Sequence, residues 1–156
     1  MIRRHSPVAS RSAMPAPHTS HGCSTRRVII DADPGVDDAL ALLLAFGAPQ
    51  LHVEGLTIVR GNGDRVRLLG ANARLLARLA GQPDVPIRLG EAPPEEAEAA
   101  QAALVHVHGE DGLGGAAERW GRTEADFEGF HQQSAAEFIA GACAAAPGEI
   151  TLVCIG

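Results

Sequence analysis

The chain alternates short apolar runs with stretches of helical periodicity, and its first such unit is the most informative. Val28-Ile29-Ile30 is β-branched at every position, the pattern of a parallel strand buried on both faces. Ala39 to Phe46 is apolar throughout and reads as a helix. Between them runs Asp31-Ala32-Asp33-Pro34-Gly35-Val36-Asp37-Asp38, an acidic turn broken by Pro34-Gly35.

The alternation then repeats. Leu51 to Val59 predicts a second strand, ending at the loop Arg60-Gly61-Asn62-Gly63. From Asp64 to Ala80, Val66, Leu69 and Leu76, with Leu68, Leu75 and Leu79, recur at helical spacing, and Gly81 stops the helix. Val85 to Gly90 predicts a short third strand, and Glu91 to Ala103 a loop with a solvated helical turn. Ser134-Ala135-Ala136-Glu137 is a capping box. The helix it opens turns Phe138, Ile139, Ala142 and Cys143 inward, and Pro147-Gly148 closes it before a last strand, Glu149 to Gly156. This order predicts an α/β fold: a Rossmann-like, mostly parallel sheet with flanking helices. In such sheets ligands bind beyond the carboxyl ends of the strands. Both the acidic turn and the Gly61-Asn62-Gly63 loop fall there.

Four carboxylates within eight residues repel one another, by about 3 kcal/mol for each pair roughly 5 Å apart at an effective dielectric near 20. The cluster asks for a cation. With no Cys or His nearby, oxygen ligands favour a hard ion, and flexible carboxylate geometry suits Ca²⁺ at least as well as Mg²⁺. Acids that merely occupy a helix N-terminus would account for Asp37 and Asp38 but not for Asp31 and Asp33. A calcium-binding EF-hand loop starting at Asp31 fails, because its required Gly and Glu positions hold Val36 and Leu42. A haloacid-dehalogenase-like phosphatase also opens with a strand and D-x-D, with Asp31 as nucleophile and Asp33 as general acid. Gly35 stands where that pattern wants Thr or Val.

Charge and composition narrow the classes further. A net charge of −6 and only Trp120 and four Phe as stacking faces argue against a nucleic-acid surface. No apolar run approaches a membrane span. Cys23, Cys143 and Cys154 are odd in number and without C-x-x-C spacing, which indicates neither a disulfide framework nor a zinc site. A reducing compartment, the cytoplasm, is expected, with Cys143 and Cys154 as buried, inert thiols. Residues 1–27 carry five Arg and no acid and read as an extension ahead of a domain at 28–156. An organellar transit peptide, a disordered tail and a true start at Met14 all fit it.

Leu104 to Gly115 is a second stretch with chemistry. His106-Val107-His108 would place two imidazoles on one side of an extended segment, as metal-dependent amidohydrolases do, but their further ligands are missing downstream. A His in a Gly-rich loop also serves as a local hydrogen-bonding residue.

Asp31-Ala32-Asp33-Pro34-Gly35-Val36-Asp37-Asp38-Ala39 resembles the D-x-D-P-G-x-D-D-A signature of the inosine/uridine-preferring nucleoside hydrolases. The Asp84 to Gly90 segment, the H-G-x-x-G-x-G run from His108 and the Glu149-Ile150-Thr151-Leu152-Val153 strand are similar to that family too. The resemblance covers residues 28–156, the N-terminal half of the family's domain. It implies hydrolysis of the N-glycosidic bond of ribonucleosides to ribose and free base. Asp33, Asp38 and the main-chain carbonyl of Ile155 would hold calcium, Asp33 would take the proton of the attacking water, and Asp37, Asn62 and His108 would bind the nucleoside. Asp31 would brace the cluster from behind. Homo-oligomers are common in the family. The family's remaining half would add another Asp ligand, further ribose contacts and a His at the departing base, so an inactive fragment or a calcium- or ribose-binding remnant is the alternative.

Overall fold

The computed structural model describes residues 25–62, 65–91 and 105–156. The readings of residues 1–24, of Cys23 and of residues 92–104 lie outside the described residues. Strand β1 (Arg26–Ala32) is followed by helix α1 (Val36–Gly47), β2 (Leu51–Ile58), α2 (Val66–Leu79) and β3 (Ile87–Leu89). A helical turn over residues 105–108 and a 3₁₀ turn (Glu124–Phe127) precede α3 (Ala135–Ala145) and β4 (Ile150–Cys154). No helix among the described residues is long and apolar enough to cross a membrane.

Strand β1 starts two residues ahead of the apolar run Val28-Ile29-Ile30. Arg26 and Arg27 pair with Leu51 and His52 in the sheet, and the Arg27 guanidinium reaches Glu54 of β2 and Glu149 beside β4. A charged strand start at the solvent edge is invisible to a reading that follows hydrophobicity alone.

The four strands are all parallel and lie in the order β3-β2-β1-β4. The chain therefore runs outward from β1 to β3 and returns to the far side of β1. That reversal creates a switch point between β1 and β4, and in open α/β sheets ligands bind beyond the carboxyl ends of the strands at such a point.

Alternation along the strands sorts the layers. Val28, Ile30 and Ala32 of β1 and Leu56 and Ile58 of β2 form one core with Leu42 of α1 and Leu69, Leu75 and Leu76 of α2. Gly55, just before Leu56 and so on the opposite face of the strand, faces the other layer, where a Cβ would lie 2.6 Å from the Phe138 ring, so the glycine lets α3 settle onto β2. The Ser134–Glu137 capping box starts α3 as expected, and Gly81, at φ 75°, ends α2 by donating to the Arg78 carbonyl.

Two burial expectations need correction. Phe138, Ile139, Ala142 and Cys143 are half-buried, and Cys154 is exposed. The cause is the same for β4: among the described residues it pairs only with β1, so its outer flank is open.

Candidate active site

The acidic turn joins β1 to α1, and helix geometry separates its last two acids. Consecutive helical positions point about 100° apart, so Asp37 and Asp38 cannot face the same way. Asp38 turns inward, 4% exposed, and its Oδ2 accepts the Asp33 backbone N–H at 2.8 Å. Asp37 turns outward. Asp33, also buried, is gripped from β2: the Asn62 backbone N–H donates to its Oδ2 at 2.6 Å, and Asn62 Nδ2 donates to its carbonyl at 2.7 Å. The preceding Gly61 is what allows this approach, because a Cβ there would stand 1.9 Å from Asp33 Oδ2.

Burial pushes the Asp38 carboxyl up to about 7, against the hydrogen bond from the Asp33 backbone and with the help of the Asp33 and Asp37 carboxylates. The folded protein thus favours protonated Asp38 relative to its ordinary value of 3.8. In chelator-treated protein, the stability this group contributes should be fully present below that ordinary value. It should be lost as pH rises through about 7. Chemical denaturation across pH 4.5 to 8.5 checks this; Asp38→Asn is expected to flatten the decline.

The four acids do not converge as a set, which corrects the expectation of a four-carboxylate cluster. Asp31 lies within β1 opposite Thr57, whose Oγ1 donates to Asp31 Oδ1 at 2.5 Å. It is a brace between strands, and that bond counts against a nucleophilic Asp31. Among the described residues no three His, Cys, Asp or Glu side chains form a ready ligand set. What remains is a buried pair, Asp33 and Asp38, with oxygen donors only and negative charge that a proton or a hard cation would offset. Such a pair fits calcium as part of a ligand set.

Across the switch point, the end of β4 closes on the same turn. Ile155 N–H donates to the Asp31 carbonyl at 2.9 Å, and a Cβ on Gly156 would lie 3.0 Å from Asp33 N. Ile155 thus follows the end of β4, bonded to the Asp31 main chain and one residue before the glycine that adjoins the Asp33 main chain.

The His-x-His stretch differs from its expectation. Residues 105–108 are a helical turn rather than an extended segment, closed by Gly109 N–H donating to the Val105 carbonyl at 2.9 Å. On a helix, positions i and i+2 face nearly opposite ways. His106 is consequently exposed while His108 is buried against the acidic turn. His108 Nδ1 accepts the Val36 N–H at 3.2 Å and lies 3.9 Å from Asp37 Oδ1.

Two further residues hold this loop, and neither was singled out from sequence. Asn72, fully buried in α2, donates to the Pro34 and Asp111 carbonyls at 3.3 and 3.0 Å and accepts from Arg122 at 2.6 Å. Its signal was an amide within the apolar stripe of α2. Asp111 accepts from the backbone N–H groups of Leu113, Gly115 and Ala117, each at 2.9 Å. Partial burial would raise its carboxyl, but these three bonds and the Arg122 charge outweigh that and hold it below the usual range. An open cavity of about 720 Å³ between the start of α2 and Phe127 lies apart from the acid pair.

Residues 28–156 match the model of the inosine-uridine preferring nucleoside hydrolases. A probable uridine nucleosidase 2 of Oryza sativa subsp. japonica is 40% identical over 130 residues, covering 83% of this chain and 37% of that protein. An inosine-uridine preferring nucleoside hydrolase of Leishmania major is 40% identical over 89 residues, covering 57% of this chain and 27% of that one. Among solved structures, a plant nucleoside hydrolase superposes with a TM-score of 0.71 at 33% identity, over 84% of this chain and 39% of that one. A purine-preferring ribonucleoside hydrolase from Gardnerella vaginalis gives 0.72 at 25% identity, over 84% and 40%. The chain thus spans well under half the length of these relatives. With a family model matched over residues 28–156 and a relative 40% identical over 83% of this chain, the chain belongs to the inosine-uridine preferring nucleoside hydrolase family.

Proposed function

We propose that this chain carries the sugar- and metal-binding half of a calcium-dependent ribonucleoside hydrolase, which splits the N-glycosidic bond to give ribose and free base. The observation that carries the reading is the buried Asp33–Asp38 pair at the β1/β4 switch point, with Asn62 bound to Asp33. Among the described residues neither acid pairs with a basic side chain, and buried acids so placed are costly structural elements that suit a site meeting positive charge.

Asp33, Asp38 and the carbonyl of Ile155 would hold the ion. Calcium, when bound, supplies fixed positive charge that acidifies a neighbouring water and orients the 2′- and 3′-hydroxyls. It acidifies water less than zinc does, so a carboxylate base is needed beside it. Asp33 fills that role: it accepts a proton as the water oxygen bonds to the anomeric carbon, while the base departs with the electron pair of the broken C–N bond and takes up a proton from solvent. Asn62 has its amide nitrogen engaged with the Asp33 carbonyl and offers Oδ1 to a ribose hydroxyl. Asp37, exposed at the start of α1, is free to bind the other. The same carboxylates stabilise positive charge that develops on the sugar in an oxocarbenium-like transition state.

The test is release of reducing sugar from uridine and from inosine, with excess Ca²⁺ and with chelator. Calcium-dependent release from either nucleoside is expected. Hydrolysis of a phosphate monoester with both nucleosides left intact would replace this reading with the phosphatase one.

A further inference from the structure

We propose that His108 is a positioning residue: its Nδ1 caps the first N–H of α1, fixing the acidic turn, and Nε2–H is left as the ring's sole donor. Only the use of that donor toward a nucleoside rests on the function proposed above.

The need for a cap comes from the turn itself. The N-cap of α1 is Gly35, which has no side chain to offer the helix's free N–H groups. His108 supplies the missing acceptor from 72 residues away, taking the Val36 N–H on Nδ1 at 3.2 Å. Its ring lies against the glycine, since a Cβ on Gly35 would stand 2.7 Å from Nδ1 and 2.9 Å from Cε1. The same Cβ would stand 2.5 Å from Asn62 Nδ2. His108 and Asn62 thus both crowd the space a side chain at Gly35 would need, and Asn62 is in turn bonded to Asp33.

The ring is delivered by a fixed loop. The His108 carbonyl accepts Gly114 N–H at 2.7 Å, Asp111 gathers three more amides of that loop, and Asn72 ties the loop to the Pro34 carbonyl. Chemistry then follows from one lone pair. An N–H donated to Nδ1 requires that nitrogen to be unprotonated, so the proton sits on Nε2 and the ring is neutral. A neutral Nε2–H orients a ligand oxygen and transfers no proton. The competing arrangement, an imidazolium paired with Asp37 through Nδ1, would break the Val36 bond; at 3.9 Å Asp37 is too far to share that nitrogen.

The tautomer and the cap are measured in the full 156-residue chain. At pH 8, long-range ¹H–¹⁵N spectra should give His108 a bare Nδ1 and a protonated Nε2. Val36 amide exchange should quicken roughly tenfold in His108→Ala and His108→Gln. It should return to the parent rate in His108→Asn, whose Oδ1 stands the same number of bonds from the backbone as Nδ1. A protonated Nδ1, or Val36 exchange indifferent to all three substitutions, would overturn the proposal. Should a variant fail to fold, the parent's tautomer still decides it. Failure of nucleoside or calcium binding alone would remove the proposed function while leaving the cap standing.

Discussion

Asp33→Ala is expected to lower kcat/KM for ribonucleoside hydrolysis by at least about 100-fold, the lower end of what a positioned general base contributes. On the proposed mechanism the loss has three sources. The variant removes the proton acceptor, removes one of two buried carboxylates, and strips Asn62 N–H of its acceptor at 2.6 Å. The last of these also destabilises the fold, by less than the roughly 1–3 kcal/mol of a fully buried unpaired donor, since the Asn62 N–H is part-buried. Asp33→Asn separates the effects: its amide oxygen still accepts from Asn62 but takes no proton. Steady-state kinetics should therefore find both variants inactive, with denaturation placing Asp33→Asn nearer the parent in stability. Activity retained in Asp33→Asn would remove Asp33 as the base.

Gly61→Ala is expected to disable the site almost as thoroughly by adding a single methyl. The new Cβ would fall 1.9 Å from Asp33 Oδ2 and 2.7 Å from its Cγ, so the carboxylate must leave its bond to Asn62. A displacement of about 1 Å at reacting groups costs on the order of 100-fold in rate, and forced overpacking costs about 1–3 kcal/mol. Gly47→Ala is the control: nothing lies within 4 Å of its Cβ at the last turn of α1. Replacing a helical Gly by Ala there should leave stability equal or up to about 1 kcal/mol higher. Equal kcat/KM for Gly61→Ala and the parent would show that Asp33's placement is not what turnover depends on.

The β1–turn–α1 unit was legible because two signals coincided. Hydrophobic period gave the strand and the helix, and Pro34-Gly35 marked the turn between them. Spacing along the chain did not reveal which acids would meet. Asp31 was claimed by Thr57 once β2 paired in register with β1. Asp37 and Asp38 were parted by the helical rotation that begins at Val36. The same rotation undid the His106–His108 pair, since Val105-His106-Val107-His108 alternates like a strand while the structure winds residues 105–108 into a helical turn. Gly61 and Asn72 carry the harder lesson. A glycine demanded by a neighbour's carboxylate, and an amide that ties two loops together, depend on partners 28 or more residues away and leave only a faint local trace.

On the function proposed above, Asp33 and Asp38 hold calcium at the β1/β4 switch point. Thermal melting of the parent and of Asp33→Asn, each with excess Ca²⁺ and with chelator at pH 8, tests it most directly. An ion that binds only the folded state at 100 times its Kd adds about 2.7 kcal/mol, a rise of several degrees in Tm for a domain of this size. The parent should show that rise and Asp33→Asn should lose it. A parent Tm indifferent to calcium, or the same rise in both proteins, would contradict the site.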